Sequence, residues 1–292
     1  MAASPSHKFG QIIGDLLEAM LYPLLKTIAD KHGLYLDHKH PRPARGKKRK
    51  VCWEDDKGNC HDLDYVLEYG GSEDQIGTPK AFIETAWRRY TKHSRNKAQE
   101  MQGAIVPLAE KHCEKHPFLG VLLAGVFTEG SIQQLRSHGF SILYFPYDSI
   151  ISAFSKVGVD AAFDEETPDS DLQQKVDAYQ ALSERRKQRI TDAIAVAHKQ
   201  DIASFLKSLE ISLNRTVQRV FVTTLHGAFK EVASVEDAIK LIERYEETQT
   251  VAGFVRYEIS VRYSNGDRID GEFEDKQKAL GFLASLLGLK GS

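Results

Sequence analysis

Three acids in this sequence occupy places where a carboxylate needs a reason. Asp62 and Asp64 are two apart in CHDLDYVLEY, and strand side chains alternate, so both face one side while Leu63 and Tyr65 face the other. Two acids facing together are costly unless solvated, paired or bound to a cation. Glu84 sits in the short apolar segment AFIETAW, with Phe82 and Ala86 on its face and Ile83 and Thr85 opposite. Where these strands are neighbours, Asp64 and Glu84 converge on a hard divalent cation such as Mg²⁺, which takes few carboxylates and keeps several waters. Exposed strand ends are the other setting such acids occupy.

Around the acids the chain is locally basic. His38 to Lys50 reads HKHPRPARGKKRK, with cations at Lys39, Arg42, Arg45, Lys47, Lys48, Arg49 and Lys50 and no acid. A second acid-free window, Ala86 to Gln99, adds Arg88, Arg89, Lys92, Arg95 and Lys97. Such windows neutralise phosphates and release counterions, or form solvated loops. The whole chain is near neutral, with 39 basic against 41 acidic residues, so net charge gives no argument for nucleic acid.

The elements that must position these residues follow from periodicity. Apolar residues at Ile12, Ile13, Leu16, Leu17, Met20, Leu21, Leu24 and Leu25 predict a helix over Phe9 to His32, with Asp15 and Glu18 on its polar side. A β-hairpin is expected over Lys50 to Tyr69, a strand at AFIETAW, and a helix from about Arg95 to Cys113 capped by Ser94. GVLLAGVF suits a strand buried on both faces; a short helix and the strand FSILYFPY follow. An acidic stretch near Gly158 to Asp171 suggests a boundary, and Leu172 to Leu213 reads as one long helix or a helix pair. The last 75 residues hold two ββα units, either a duplication or a chance likeness; turn pairs His226-Gly227 and Asn265-Gly266 mark their hairpins.

At 292 residues, one large or two modest domains fit. The composition, 41% hydrophobic and 27% charged, excludes collagen-like, disulfide-scaffold and wholly disordered chains. The longest nearly unbroken apolar run, Phe118 to Phe127, is about half of the roughly 20 residues that span a membrane. The opening MAASPSHKFGQ lacks a secretory pattern, and a cytoplasmic protein with three unbridged cysteines, Cys52, Cys60 and Cys113, is expected. His112 and His116 are four apart around Cys113 but lack the glutamate of a zinc protease helix. Neither a GxxxxGK[ST] loop nor a GxSxG elbow occurs, so nucleotide hydrolysis and serine-ester chemistry by those motifs have no support.

The run LDYVLE, a loop, then FIETAWRRYTKHSRNKAQEMQGAI resembles the PD-(D/E)XK nuclease superfamily, and within it type II restriction endonucleases, over about Phe9 to Phe154. The resemblance implies an α/β nuclease core over 1–160, restriction-endonuclease-like, with a mixed central sheet flanked by helices. Residues 161–292, a helical segment plus two ββα units, would form an α+β region for DNA recognition and dimerisation. The implied activity is Mg²⁺-dependent, sequence-specific hydrolysis of double-stranded DNA, leaving a 5′-phosphate and a 3′-hydroxyl. Asp64 would match the signature aspartate, with Leu63 in place of proline, and Glu84 the second acid, joined on the metal by the Thr85 carbonyl. The lysine expected two residues after Glu84 is Ala86 here. Lys97 is the first choice to replace it and Lys92 the second.

Glu18, slightly preferred over Asp15, resembles the helix acid that completes some such metal sites. Lys47, Lys48, Arg49, Lys50, Arg88, Arg89, Lys92 and Arg95 would meet the DNA backbone. The hairpin tips around His226 and Lys230, and around Asn265, Asp267 and Arg268, would read bases, since Arg suits guanine and Asn adenine. A homodimer on a palindromic site is implied, as is a cognate DNA methyltransferase in the same system that is not a stable subunit. The alternatives are a DNA-binding module on an inactive scaffold and a DNA repair nuclease.

Overall fold

The leading apolar stripe folds as helix α1 (Pro5–Lys31) in the computed structural model, which describes residues 4–224, 228–247 and 254–287. Ser4 caps α1 by accepting the His7 N–H at 3.3 Å, satisfying one of the donors that a helix start leaves unpaired. Phe9, Ile13, Leu16, Leu17, Leu21 and Leu25 form its buried face. The chain continues through β1 (Leu34–His38), β2 (Val51–Glu54), β3 (Cys60–Leu63), β4 (Tyr65–Tyr69) and β5 (Thr78–Arg88). Then come α2 (Thr91–Lys111), β6 (Phe118–Gly125), α3 (Glu129–Ser137), β7 (Ser141–Pro146) and α4 (Tyr147–Ser155).

Five strands form one sheet in the order β1-β4-β5-β6-β7. The β1–β4 and β4–β5 pairs are antiparallel, and the β5–β6 and β6–β7 pairs parallel. This is the expected mixed α/β sheet with flanking helices. The GVLLAGVF run becomes β6, almost wholly buried, as a strand covered on both faces must be. On one face, Phe82, Ala86, Val121 and Leu123 pack against Ala98, Met101, Ile105 and Leu108 of α2. Elsewhere α1 is tied to the sheet by the Tyr65 hydroxyl, which donates to the Glu18 carbonyl at 2.7 Å. β6 ends at Gly125, whose φ of +97° and closeness to the Arg88 carbonyl, 2.1 Å from a built Cβ, admit only glycine.

Several expectations are corrected. The single hairpin over Lys50 to Tyr69 is two structures: β2 and β3 pair as a separate ribbon, and the chain turns at Asp64 before β4 joins the main sheet. Asp62 and Asp64 therefore do not share one strand. The ribbon register sets Cys52 opposite Asp62 and Glu54 opposite Cys60, so the two cysteines are diagonal neighbours with Cα atoms 5.7 Å apart, and they form a disulfide. Cys113 is a free, exposed thiol. β1 went unread in the sequence, and α2 starts at Thr91. Ser94 is consequently buried inside its first turn, its hydroxyl donating to the Thr91 carbonyl at 2.8 Å instead of capping the helix.

Residues 172–213 fall into three helices, α5 (Asp169–Gln180), α6 (Glu184–Ala197) and α7 (Lys199–Leu213). The chain divides into two compact units, 1–111 with 118–210 and 112–117 with 211–292. The boundary is thus near 210, and the expected one at 160 is corrected. Leu172 and Val176 of α5 are buried where that helix packs on α1, Ile190 and Ile194 of α6 are buried, and Phe205 of α7 meets Phe118 edge-on at 5.7 Å. Apolar burial ties these helices to the first unit.

The second unit contains β8 (Val217–Thr224), β9 (Ala228–Val232), α8 (Val235–Arg244), β10 (Tyr257–Tyr263), β11 (Arg268–Phe273) and α9 (Lys276–Leu287). These are the two ββα units read from the sequence. They form one antiparallel sheet, β11-β10-β8-β9, with the first strand of each unit at its centre. Val220, Val222, Tyr257, Ile259 and Val261 pack against Ile242 and Leu283. Among the described residues, no helix is long and apolar enough to cross a membrane.

Candidate active site

The site lies where β4 and β5 part. Their ladder ends at the pair Tyr65–Ile83, yet β5 runs on to Arg88, so the edge of β5 beyond Ile83 has lost that neighbour. A backbone N–H there needs another acceptor, and Asp64 supplies it. Asp64 Oδ2 accepts from the Thr85 N–H at 2.7 Å and from the Thr85 hydroxyl at 2.6 Å. The turn at Asp64 that broke the expected hairpin is therefore what aims its carboxylate at β5. In an extended strand one residue's N–H and C=O point the same way, so the Thr85 carbonyl is directed toward Asp64.

Asp64, Glu84, Thr85, Lys97 and Glu18 line one cleft of about 780 Å³. Glu84 Oε1 is 3.6 Å from Lys97 Nζ, and Glu84 Oε2 is buried with no hydrogen-bond partner. Ala86, on the Glu84 face of β5, is 5% exposed in the core against α2. The ammonium absent at that position arrives from α2, since Lys97 reaches back to Glu84. Lys97 also lies 3.7 Å from Glu100, whose other cation is Arg88 at 3.8 Å.

Without a cation the acids are poorly accommodated. Burial pushes Glu84 up to about 8, with the Asp64 charge adding to the rise and Lys97 opposing it. Burial, then Asp64, raises Glu18 to about 7 against Lys39. Asp64 is raised by burial, against its bonds from Thr85 and the charges of Lys97 and Lys39. All three shifts favour protons where a positive ion would relieve the same cost. The oxygen donors, the unpartnered Glu84 Oε2 and the Thr85 carbonyl suit a hard cation such as Mg²⁺. Glu18, Asp64 and Glu84 are not all within 4.8 Å of one another, so the fitting set is the Asp64–Glu84 pair with that carbonyl, completed by water. Asp62 lies outside the cleft, ion-paired with Lys50. Among the described residues, the group of metal-ligand type drawn within 4.8 Å is Cys52, Cys60 and Asp62, whose cysteines are bridged.

The basic windows divide. Arg42 is fully buried, bonded to Glu68 at 2.6 Å and to Asp37 at 2.8 Å, and is structural. Lys47, Lys48 and Arg49 are exposed, as is Lys50 beside Asp62. Arg88 lines the cleft. Arg89 lines it too, but its guanidinium carbon is 3.9 Å above the Tyr147 ring and its Nε donates to the Phe163 carbonyl. Arg95 is exposed on α2; Lys92 is in the first turn of that helix, and its side chain lies outside the described residues.

In the second unit, the Asn265 amide donates to Asp267 at 2.8 Å and its oxygen accepts the Asp267 N–H at 3.1 Å. Arg268 pairs with Asp270 at 2.7 Å, and Lys230 lies within β9. Asp267 is also held by Arg215 at 3.3 Å and His116 at 3.5 Å. His226 lies outside the described residues.

Sequence reasoning missed part of the cleft wall. Gln11 and Gly14 face it from α1 beside the expected Glu18, at helical spacing i, i+3 and i+7, and a helical glycine at 14, which costs about 1 kcal/mol relative to Ala, was the available signal. A Cβ at Gly14 would meet nothing within 4 Å, so this glycine keeps that wall low. Compared with models of protein families, with curated proteins and with solved structures, the chain matches none.

Proposed function

We propose that this protein is a Mg²⁺-dependent, sequence-specific endonuclease of the PD-(D/E)XK type, acting on double-stranded DNA. The observation that carries the reading is the convergence of Asp64, Glu84 and Lys97 on one cleft, with a Glu84 oxygen buried and unpartnered. The mixed sheet, the leading helix bearing Glu18 and the position of the acids at the parting of β4 and β5 support it.

Asp64, Glu84 and the Thr85 carbonyl would hold the ion, and Glu18 would face it from α1. When bound, Mg²⁺ supplies a nucleophile from water at neutral pH and neutralises charge on the phosphate. Thr85 fixes the Asp64 carboxylate through two hydrogen bonds. Lys97 orients the attacking water or stabilises charge developing on the phosphoryl oxygens. Arg88, with Arg95 and the exposed cations of the loop before β2, draws the DNA backbone to the cleft; such contacts position DNA without reading its sequence. Base reading falls to the second unit, where Asn265 and Arg268 would have to exchange intramolecular partners for bases.

Plasmid digestion tests this reading. Wild-type protein with Mg²⁺ should give discrete fragments, and Asp64→Ala and Glu84→Ala should abolish cutting while gel-shift affinity stays within about threefold, a change of less than 1 kcal/mol. A folded wild-type protein that leaves DNA of varied sequence intact with Mg²⁺ contradicts it.

A further inference from the structure

The loop between β1 and β2 carries most of the first basic window, and Arg45 crosses its neck. Nη2 of Arg45 donates to the carbonyls of His38 at 3.1 Å and His40 at 3.0 Å and to Asp37 at 3.0 Å. Nη1 donates to the carbonyls of Lys48 at 2.8 Å and Lys50. One buried guanidinium therefore grips the carbonyls on both sides of Lys39 and on both sides of Arg49. Two cations ten residues apart are fixed as neighbours, while Arg42 and Arg45 are spent on structure, Lys50 pairs with Asp62, and Lys47 and Lys48 are exposed and do not line this cleft.

Lys39 and Arg49 line a second cleft, of about 570 Å³, which shares Gln11, Glu18 and Asp64 with the first. Asp15 and Tyr22 of α1 also line it, with His38, whose Nδ1 is buried without a hydrogen-bond partner. Both cations are exposed, and neither enters a hydrogen bond or ion pair among the described residues. The acids thus stand between two mouths, one flanked by Arg88 and Asn96 and the other by Lys39 and Arg49. Lys39 acts on Glu18 and Asp64 through its charge alone, and cations pre-set beside a phosphodiester site without a hydrogen bond or ion pair of their own are suited to a phosphate, because no such bond is lost on binding.

We propose that Lys39 and Arg49 form a phosphate clamp, set in place by Arg45, for the phosphodiester adjoining the one cleaved. The DNA backbone enters past Arg88 and Asn96, crosses the carboxylates and leaves between Lys39 and Arg49. This rests on the nuclease reading and adds a backbone subsite to it, with Arg45 as a positioning residue.

The test measures binding of a short mixed-sequence DNA duplex by fluorescence anisotropy, without divalent metal, over a range of NaCl concentrations. Plasmid cutting with Mg²⁺ is followed in parallel. Each phosphate contact contributes about 0.9 to the slope of log affinity against log salt, so Lys39→Ala/Arg49→Ala should flatten the slope by roughly 2. Arg45→Lys should flatten it in the same direction, and a merely structural role for the loop would leave the slope unchanged. Both side chains removed in the double variant are exposed, so its melting temperature should match wild type. An unchanged slope in a double variant of a wild type that binds and cuts DNA overturns the clamp and leaves the nuclease reading standing. A wild type that neither binds nor cuts overturns both.

Discussion

In the proposed function Glu84 is the residue on which the chemistry turns, because the folded chain makes its ionised form costly. Its ordinary value is 4.5, and the fold holds it at about 8, with Glu18 at about 7. A raised folded value means that the stability it contributes is full below about pH 4.5 and is lost as pH rises through about 8. Calorimetry of the metal-free protein should therefore show a melting temperature that falls on this account between roughly pH 5 and 9, and a Mg²⁺-induced rise that is largest at the alkaline end. Glu84→Gln should flatten the first effect and remove the second. Lys97→Ala should lower single-turnover cleavage by about 10²–10³, with affinity for DNA changed by less than about tenfold. Glu84 was legible in the sequence because an acid in a short apolar strand announces itself; Asp64 was singled out too, but as a strand residue facing with Asp62, whereas it sits at the turn between β3 and β4. The Lys97–Glu84 approach was legible only as a consequence of the gap at Ala86. Lys39 was visible as charge alone, since its place beside Glu18 and Asp64 depends on Arg45 folding the loop back.

At the scale of elements, the cleft depends on loops being held as firmly as strands. Arg42 has no exposed surface and bridges Asp37 of β1 to Glu68 of β4. It also donates to the Ser72 and Gln75 carbonyls, each at 2.7 Å. Removing one partner of a buried ion pair strands the others. Arg42→Ala should lower stability by about 3–5 kcal/mol in urea denaturation; a loss below about 1 kcal/mol would show that water reaches these acids. The elements with strong period were readable: α1 from its leucine stripe, β6 from its unbroken apolar run and the two ββα units from their turns. The parting of β3 from β4 was not, because no glycine or proline marks the turn at Asp64. The partner that the turned Asp64 meets, Thr85, is twenty-one residues away. β1 was missed for another reason: its LYLDH segment carries a buried Asp37, made tolerable by Arg42 and Arg45 from the loop that follows, which read in the sequence only as basic charge.

Across the whole molecule, two compact units each close their own apolar core. Composition and periodicity located both kinds of architecture but put the boundary about fifty residues early, since an acidic stretch reads as a linker whether or not the helices after it pack back. Here they do, through Leu172, Val176 and Phe205. The unit bearing the carboxylates and the loop cations contains every group the proposed cleavage requires; the same proposal leaves base recognition to the second unit. Anomalous diffraction from crystals grown with Mn²⁺ in place of Mg²⁺ probes the proposed ion directly. We expect a peak between the carboxylates of Asp64 and Glu84, absent in Glu84→Gln. Mn²⁺ bound elsewhere with that position empty, or a peak there that survives Glu84→Gln undiminished, would contradict a metal held by this pair.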